Sequence, residues 1–235
     1  METAVLSIDR VNKHFGGIIA VKDMSFKVQP GEVLGLMGPD GAGKTTLLNL
    51  IAGVYPPDSG RVLFQGKDIT RRAPHKICHL GIARTYQIPQ PFTHLLVRDN
   101  LLVAATYGRK KGDTSELDEI LDLVDLSKQK GMIAGDLATV SLKKLELARA
   151  LASNPTLILL DEVAAGSTDA EIPGILAIIK QVRKMVKAII LVEHVMKVMV
   201  EAVDRIVVMD KGEKIAEGMP GQVMKDEKVL AAYFG

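Results

Sequence analysis

The sequence predicts an α/β fold in which helices cover both faces of a mainly parallel β-sheet. Short apolar runs rich in β-branched residues recur at strand length, and longer stretches with helical spacing of apolar residues lie between several of them. Strands that alternate with helices favour a parallel sheet, because each helix returns the chain to the end of the sheet where the previous strand began. Two interruptions of this alternation predict an antiparallel β flank and an inserted helical subdomain.

The core elements follow the apolar pattern along the chain. The predicted strands are Val5 to Ile8, Val33 to Met37, Gly81 to Thr85, Leu157 to Leu160, Ala188 to Val192 and Arg205 to Met209. The predicted helices are Lys44 to Ala52, Lys144 to Ser153, Asp169 to Met185 and Val195 to Ala202.

The first 30 residues and the segment Gly60 to Asp68 differ from this core. Turn residues such as Gly16-Gly17 and Pro57-Asp58-Ser59-Gly60 separate short strands there, which predicts the antiparallel flank. From about Pro89 to Ala138 strand signals end, while Val97 to Ala105 and Ser115 to Leu126 have helical spacing. We therefore predict one domain over residues 1–235 with a helical subdomain at about residues 89–153.

Composition argues against several classes of function. Thirty basic and 28 acidic residues leave a formal charge of +2, without a block of like charge, so we expect no nucleic-acid partner. The single cysteine, Cys78, permits no internal disulfide and fits a reducing compartment. No run approaches the roughly 20 apolar residues that cross a bilayer, and no export signal precedes the first strand, so we expect a cytoplasmic protein.

A phosphate-binding pattern lies between a predicted strand and a predicted helix. Residues Gly38 to Thr45 match G-x-x-x-x-G-K-[S/T] in full, so a glycine-rich turn without chemistry is the weaker alternative. The backbone N–H groups and the helix start favour an anion, Lys44 is suited to the β- and γ-phosphates, and the Thr45 hydroxyl is suited to Mg²⁺. The predicted nucleotide contacts from this loop are Gly38, Pro39, Asp40, Gly41, Ala42, Gly43, Lys44, Thr45 and Thr46.

Polar residues follow three other predicted strands, and ligands gather at the carboxyl ends of such strands. Asp161 is suited to hold Mg²⁺ through water, and Glu162 to act as the general base that activates a water. An acidic strand end that caps the next helix remains the alternative. His194 is suited to a γ-phosphate oxygen and Gln87 to sensing γ-phosphate or Mg²⁺, although each is weak evidence alone.

These pieces, in this order, resemble the ATP-binding subunit of an ABC transporter over nearly all of the chain. The resemblance implies a P-loop NTPase (RecA-like) core that hydrolyses ATP with Mg²⁺, with Glu162, His194 and Gln87 in catalysis and Thr45, Gln87 and Asp161 at the metal. It also implies that Phe15 stacks on adenine and that the helical subdomain docks on transmembrane permease subunits. Two such cassettes would enclose two ATP molecules at the inner face of the cell membrane, and an external substrate-binding protein would act indirectly.

Shorter sequence segments narrow the resemblance to one group of ABC transporters. The segments Phe15 to Gly17, Gly81 to Gln87, Leu145 to Arg149 and Gly212 to Gly218 are similar to the G-type ATPases of bacterial branched-chain amino acid importers. Related cassettes serve urea uptake and lipopolysaccharide transport, so those cargoes stay open. A degenerate regulatory cassette with little turnover is another alternative, and a soluble ABC-type ATPase acting on ribosomes or DNA is a third, although the twin cassettes or long coiled coil that it would need are missing from the sequence.

Several positions depart from the family pattern. The family's Leu-Ser-Gly-Gly-Gln type signature, which grips the nucleotide bound to the other cassette, falls on Leu137 to Ser141. Ala138 has no hydroxyl, and Val140 puts a stiff branched side chain where the backbone should approach an anion. We therefore expect weak ATPase activity of the chain alone and a partner cassette of different sequence with an intact signature.

Further departures lie in the loop after Glu162 and in the phosphate loop. Val163 replaces the usual proline, and Ser167 to Asp169 replaces the Leu-Asn/Asp-Pro segment, called the D-loop, that crosses to the opposite site. Asp40 replaces asparagine or serine. An ionised Asp40 is expected to weaken ATP binding unless it is protonated or paired with a cation. The alternative is that these are tolerated substitutions in a working cassette.

Overall fold

The computed structural model describes residues 3–108, 114 and 116–234. The strands are β1 (Leu6–Phe15), β2 (Ile18–Val28), β3 (Val33–Met37), β4 (Ser59–Phe64), β5 (Lys67–Asp68), β6 (Ile82–Arg84), β7 (Leu157–Asp161), β8 (Ala188–Val192), β9 (Arg205–Asp210) and β10 (Glu213–Gly218). The α-helices are α1 (Lys44–Ile51), α2 (Pro74–Leu80), α3 (Val97–Gly108), α4 (Leu117–Leu123), α5 (Thr139–Ala152), α6 (Ile172–Met185), α7 (Met196–Ala202), α8 (Pro220–Val223) and α9 (Glu227–Phe234).

Two sheets form the scaffold, as the sequence predicts. The larger sheet has the order β10-β9-β3-β8-β7-β6, in which β9, β3, β8, β7 and β6 run parallel and β10 is antiparallel to β9. The smaller sheet has the order β2-β1-β4-β5 and is antiparallel throughout. The α/β class, the parallel core and the antiparallel flank are therefore confirmed.

The parallel sheet separates two hydrophobic cores. Every residue of β3, β7 and β8 is buried, as expected for strands covered on both faces. Successive side chains of a strand point to opposite faces, and β7 shows this directly: Ile158 and Leu160 belong to one core, while Leu157 and Leu159 belong to the other. This packing fixes the ends of the strands, where the polar residues lie.

The regular secondary structure described between β6 and β7 is helical, apart from one isolated bridge between Leu96 and Ile133. Leu101 of α3, Ile120 of α4 and Leu145 of α5 are buried in one core. The boundaries of the subdomain at residues 89–153 stay a prediction. Ser115, the first residue of one predicted helix, lies outside the described residues.

Some element boundaries differ from the sequence prediction. Helix α5 begins at Thr139, five residues before the predicted Lys144. The prediction missed its first residues because the fully buried positions start only at Leu145. Helix α6 begins three residues later than predicted, at Ile172. Helix α2 and the edge strand β10 were not predicted, since neither has a sustained apolar pattern.

Within residues 3–108, 114 and 116–234, every helix is too short or too polar to span a bilayer.

Candidate active site

The phosphate loop connects β3 to α1 and runs against two neighbouring strands. Gly38 has φ 151° and Gly43 has φ 101°. A Cβ atom on Gly38 would lie 2.1 Å from the Met209 carbonyl oxygen, and one on Gly43 would lie 2.2 Å from the Ala20 carbonyl oxygen. Glycine is required at both positions because larger residues would collide with backbone atoms that cannot move aside.

Lys44 is held over this loop by carbonyl oxygens. Its Nζ donates hydrogen bonds to the oxygen of Gly38 at 2.6 Å and of Pro39 at 3.0 Å, and the residue is 7% exposed. Burial lowers the pKa of Lys44, against the effect of nearby acidic side chains. The ammonium group therefore lies at the mouth of a backbone cradle, where a bound anion would meet it.

The other predicted members of the loop surround this ammonium group at different depths. Ala42 is buried, Pro39, Gly43 and Thr46 are partly buried, and Asp40, Gly41 and Thr45 are exposed. Thr45 and Thr46 belong to the first turn of α1, whose N–H groups have no partner within the helix. The exposed backbone and hydroxyl groups can bind phosphate oxygens and a metal.

The structure brings Glu162, Gln87 and His194 together. Glu162 Oε2 accepts a hydrogen bond from Gln87 Nε2 at 2.8 Å, and Glu162 Oε1 lies 3.0 Å from His194 Nε2. The three residues follow the adjacent strands β7, β6 and β8, which explains their proximity. Both carboxylate oxygens of Glu162 are thereby oriented by side chains that the sequence analysis had selected separately.

Glu162 also has an unusual backbone conformation. Its φ is 53°, in the left-handed region that non-glycine residues rarely adopt. Its N–H donates to the Val192 carbonyl oxygen at 2.9 Å, which holds the end of β7 against β8. Backbone strain of this kind costs roughly 1–3 kcal/mol and is concentrated at functional sites. Here it turns the Glu162 side chain toward Gln87 and His194.

Asp161 forms a buried ion pair that the sequence analysis missed. Its Oδ2 accepts a hydrogen bond from Arg84 Nη2 at 2.9 Å, and its N–H donates to Thr85 Oγ1 at 3.0 Å. Arg84 Nη1 also donates to Asn49 Oδ1 on α1. Burial raises the pKa of Asp161, and Arg84 opposes this shift. The available signal was an arginine at the end of a buried strand, since buried arginine is almost always paired.

The side chain of Asp40, in the phosphate loop, is open to solvent. Its side chain is 99% exposed, and its Oδ1 lies 4.0 Å from His194 Nε2. Water and salt screen an exposed charge strongly. The expected weakening of ATP binding by Asp40 is therefore small in this arrangement.

Phe15 lies at the end of β1 with its ring 41% exposed. The ring meets Tyr55 edge-on, with centroids 5.1 Å apart, and Lys13 Nζ lies 5.3 Å from its centroid. Asp58 fixes this strand end by accepting hydrogen bonds from Lys13 Nζ at 2.9 Å and from the His14 N–H at 2.7 Å. These bonds lower the pKa of Asp58 to about 2. A held aromatic ring with a free face suits stacking on a base.

The predicted signature segment, Leu137 to Ser141, starts α5 and is largely exposed. Ala138 occupies the N-cap position with φ −64° and ψ 155°, and no side chain caps the helix. Val140, in the first turn, is 46% exposed. The segment is accessible to another chain, but it presents a methyl and an isopropyl group where the family presents a hydroxyl and a bare backbone.

The donor set at this site fits a magnesium ion that is bound mainly through a nucleotide. No cluster of three or more His, Cys, Asp or Glu side chains suited to a metal exists in the part of the chain that the structure describes. Magnesium typically keeps several waters and takes one or two protein oxygens plus phosphates. The exposed Thr45 and the carboxylate of Asp161 meet that requirement. Gln87, the third predicted metal contact, donates from its Nε2 to Glu162, and its contact with the metal stays a prediction.

Comparison with known proteins decides the family. A family model described as ABC transporter matches residues 21–165, more than half of the chain. The chain belongs to the ABC transporter ATP-binding family. As a member of this family, it binds nucleotide and hydrolyses ATP.

Individual relatives of this cassette match over nearly their full length. A branched-chain amino acid transport ATP-binding protein, LivG of Archaeoglobus fulgidus, is 34% identical over 98% of this chain and 95% of its own. BraF of Pseudomonas aeruginosa, a high-affinity branched-chain amino acid transport ATP-binding protein, is 32% identical over 100% of this chain and 99% of its own. The ADP conformation of the cassette MJ1267 superposes with a TM-score of 0.87 at 31% identity, covering 99% of both chains.

Proposed function

We propose that this cassette energises an importer of branched-chain or other hydrophobic amino acids from the cytoplasmic face of the cell membrane. The catalytic role in this proposal rests on the orientation of Glu162 by Gln87, at 2.8 Å, and by His194, at 3.0 Å. The cargo is supported by the names of the relatives, which are branched-chain amino acid transport ATP-binding proteins. The membrane location rests on the proposed contact with a permease.

In this proposal the site residues divide the work of hydrolysis. Lys44 binds the β- and γ-phosphates while the loop N–H groups surround them. Thr45 and Asp161 hold Mg²⁺, which when bound neutralises charge on the phosphates. Glu162 accepts a proton from the attacking water, and Gln87 and His194 keep that carboxylate in position. Phe15 stacks on the adenine ring and sets the register of the nucleotide.

We propose that the second cassette is a different chain with an intact signature. Each ATP site takes its phosphate-binding and metal-binding residues, such as Lys44 and Asp161, from one cassette and the signature from the other. Because Ala138 and Val140 remove the hydroxyl and the close backbone approach, two copies of this chain would form two impaired sites. A partner with an intact signature completes the site that contains Glu162.

The proposed permease contact lies beside the Gln87 segment. A groove of about 390 Å³ is lined by Ile77, Tyr86, Phe92, Tyr107 and Arg149, among others. The Arg149 guanidinium lies 5.0 Å from the centre of the Phe92 ring, and its Nη1 donates to the Gln90 carbonyl oxygen at 2.6 Å. This ordered, partly apolar platform suits a helix of a transmembrane subunit, through which an external substrate-binding protein would act.

The test of this function compares the chain alone with the chain joined to its partner cassette and permease. We expect Glu162→Gln to abolish ATPase activity of the complex while ATP still binds, because glutamine cannot accept the proton. Glu201→Gln, at an exposed glutamate of α7, is the matched control and should leave activity unchanged. Full activity of the Glu162→Gln complex would contradict the catalytic assignment.

The cargo is tested separately in reconstituted vesicles. ATP-dependent uptake of leucine, isoleucine and valine is expected, and uptake should stop when the Lys44→Ala variant replaces this chain. Transport of urea or of a lipid in the same vesicles, with no amino acid uptake, would refute the cargo and leave the ATPase assignment intact.

A further inference from the structure

A buried carboxylate next to His194 has no role in the catalytic arrangement described above. Glu193 is 2% exposed, and its Oε1 accepts a hydrogen bond from the Ala164 N–H at 2.6 Å. Its Oε2 is buried without a hydrogen-bond partner among the described residues. Burying an acidic group is unfavourable unless it is hydrogen-bonded. The burial of Glu193 against the Ala164 N–H therefore points to a positional role at Ala164.

A second charged side chain, on helix α5, is hydrogen-bonded to the residue that follows Ala164. Lys143 lies in α5, three residues after Val140, and its Nζ donates a hydrogen bond to the Ala165 carbonyl oxygen at 2.5 Å. Consecutive residues of one loop are thus tied to the end of β8 through Glu193 and to the signature helix through Lys143. Burial raises the pKa of Glu193, and the hydrogen bond from the Ala164 N–H and the charge of Lys143 oppose that rise.

The loop that contains Ala164 and Ala165 leads from Glu162 to residues 167–169, which replace the D-loop. It has no regular structure: Gly166 has φ 81°, and Ser167 donates from its N–H to the Ala164 carbonyl oxygen at 3.1 Å. The family's proline at the position after Glu162 is Val163 here, so no ring restricts the backbone at that point. Side chains that reach the loop therefore add to the order that its backbone hydrogen bonds provide.

We propose that Glu193 and Lys143 form a two-point clamp that positions Ala164 and Ala165. The clamp couples three parts of the molecule: the His194 end of β8, the signature helix α5, and residues 167–169. Both residues are positioning residues, since each acts on the backbone and not on the nucleotide. The inference rests on the proposed function in one respect, because residues 167–169 are taken to reach the second cassette.

Three variants separate the clamp from general packing. Lys143→Met removes the ammonium group and keeps the apolar stem. Glu193→Leu removes the acceptor at nearly constant volume, while Glu193→Gln keeps a carbonyl oxygen for the Ala164 N–H. Lys144→Met is the matched control, because the neighbouring lysine forms its ion pair with the exposed Asp125, at 3.1 Å, away from Ala164 and Ala165.

The first readout is amide hydrogen exchange of residues 162–169 in the nucleotide-free chain. We expect Lys143→Met and Glu193→Leu to speed exchange about tenfold or more, the scale of a lost charged hydrogen bond. Glu193→Gln and Lys144→Met should stay near the wild-type rate. If Glu193→Leu fails to fold, the Lys143→Met result decides alone, since that side chain is only partly buried.

The second readout is whether each substitution changes kcat or KM for ATP hydrolysis by the assembled complex. Loss of the clamp should lower kcat and leave KM and the ATP affinity of the isolated chain unchanged, whereas loss of a nucleotide contact would raise KM. Wild-type exchange in both Lys143→Met and Glu193→Leu would overturn the clamp. If the complex with the wild-type chain is inactive while the variants change hydrogen exchange as expected, the proposed function is refuted and the clamp stands.

Discussion

The Nη2 atom of Arg84 lies 2.9 Å from the Oδ2 atom of Asp161, with the two side chains 5% and 2% exposed. This pair connects β6 to the end of β7, and Arg84 extends the connection to Asn49 of α1. One carboxylate oxygen of Asp161 is occupied by arginine. The other remains for the metal in the proposed site, and the guanidinium opposes the rise in the pKa of Asp161 that burial causes.

The first prediction concerns this ion pair. Arg84→Met leaves a buried carboxylate without its partner, so we expect a loss of about 3 kcal/mol in the free energy of unfolding. The pKa of Asp161, already raised by burial, should rise further, so the acidic limb of the ATPase profile should move to higher pH. Urea unfolding and a pH profile check both effects.

The exposed pair of Arg61 and Asp9 supplies the control for this experiment. Arg61→Met breaks an ion pair at 3.2 Å whose side chains are 62% and 37% exposed. Exposed pairs contribute little, so its stability and pH profile should match those of the wild type. Equal effects of the two substitutions would show that burial does not govern the Arg84 pair.

The second prediction concerns acid stability at the Phe15 strand end. The pKa of Asp58 is about 2 in the folded chain, below its ordinary value of 3.8, so its ionised form stabilises the fold. That contribution is complete above pH 3.8 and disappears as pH falls through about 2. Asp58→Asn should therefore lower Tm at neutral pH, and the gap from the wild type should close between these values. A gap that stays constant with pH would contradict the assignment.

The third prediction concerns Asp40. Because this side chain is 99% exposed, Asp40→Asn should tighten ATP binding only about twofold to fivefold at low salt. The difference should shrink at high salt as the charge is screened. Calorimetric titration at two ionic strengths measures both effects. A gain beyond about tenfold would mean that Asp40 turns toward the phosphates when nucleotide binds.

Local patterns predicted the elements that surround the site. The strands β3, β7 and β8 are continuous apolar runs, and the glycines of the phosphate loop have fixed spacing, so neighbours in sequence carry the information. Arg84, Tyr55 and Glu193 were missed because their partners are far along the chain. Asp161 is 77 residues from Arg84, and only the order of strands in the sheet brings the two together.

The start of α5 shows a different limit of sequence analysis. The segment Thr139 to Lys144 has few apolar residues, so helical periodicity is weak there, although the chain is already helical. The substituted signature residues therefore lie at and just inside a helix start, five residues before the start that the apolar spacing predicted. This placement also explains why Val140 is exposed.

The fourth prediction concerns the permease contact. A cysteine at position 92 should crosslink to a transmembrane subunit, because the Phe92 ring is 45% exposed and held by Arg149 beside the groove. A cysteine at Met185, which is 44% exposed at the end of α6, is the matched control and should not crosslink. Capture of the subunit from both positions, or from neither, would contradict the proposed surface.

The last prediction concerns the signature and the division of work between two ATP sites. Ala138 is the N-cap of α5, where a serine hydroxyl can bond to helix N–H groups or to a phosphate, and Val140 blocks approach to the first turn. The isolated chain should therefore hydrolyse ATP slowly, and Ala138→Ser combined with Val140→Gly should raise its turnover about 100-fold, the scale of one recovered transition-state contact. With an intact-signature partner, Glu162→Gln in this chain should remove nearly all activity, while the equivalent change in the partner should remove little, since the partner's site faces this chain's signature. Single-turnover measurements should then show one fast site per pair. Rapid hydrolysis by the unmodified chain alone would show that Leu137 to Ser141 still clamps ATP and that the two sites are equivalent.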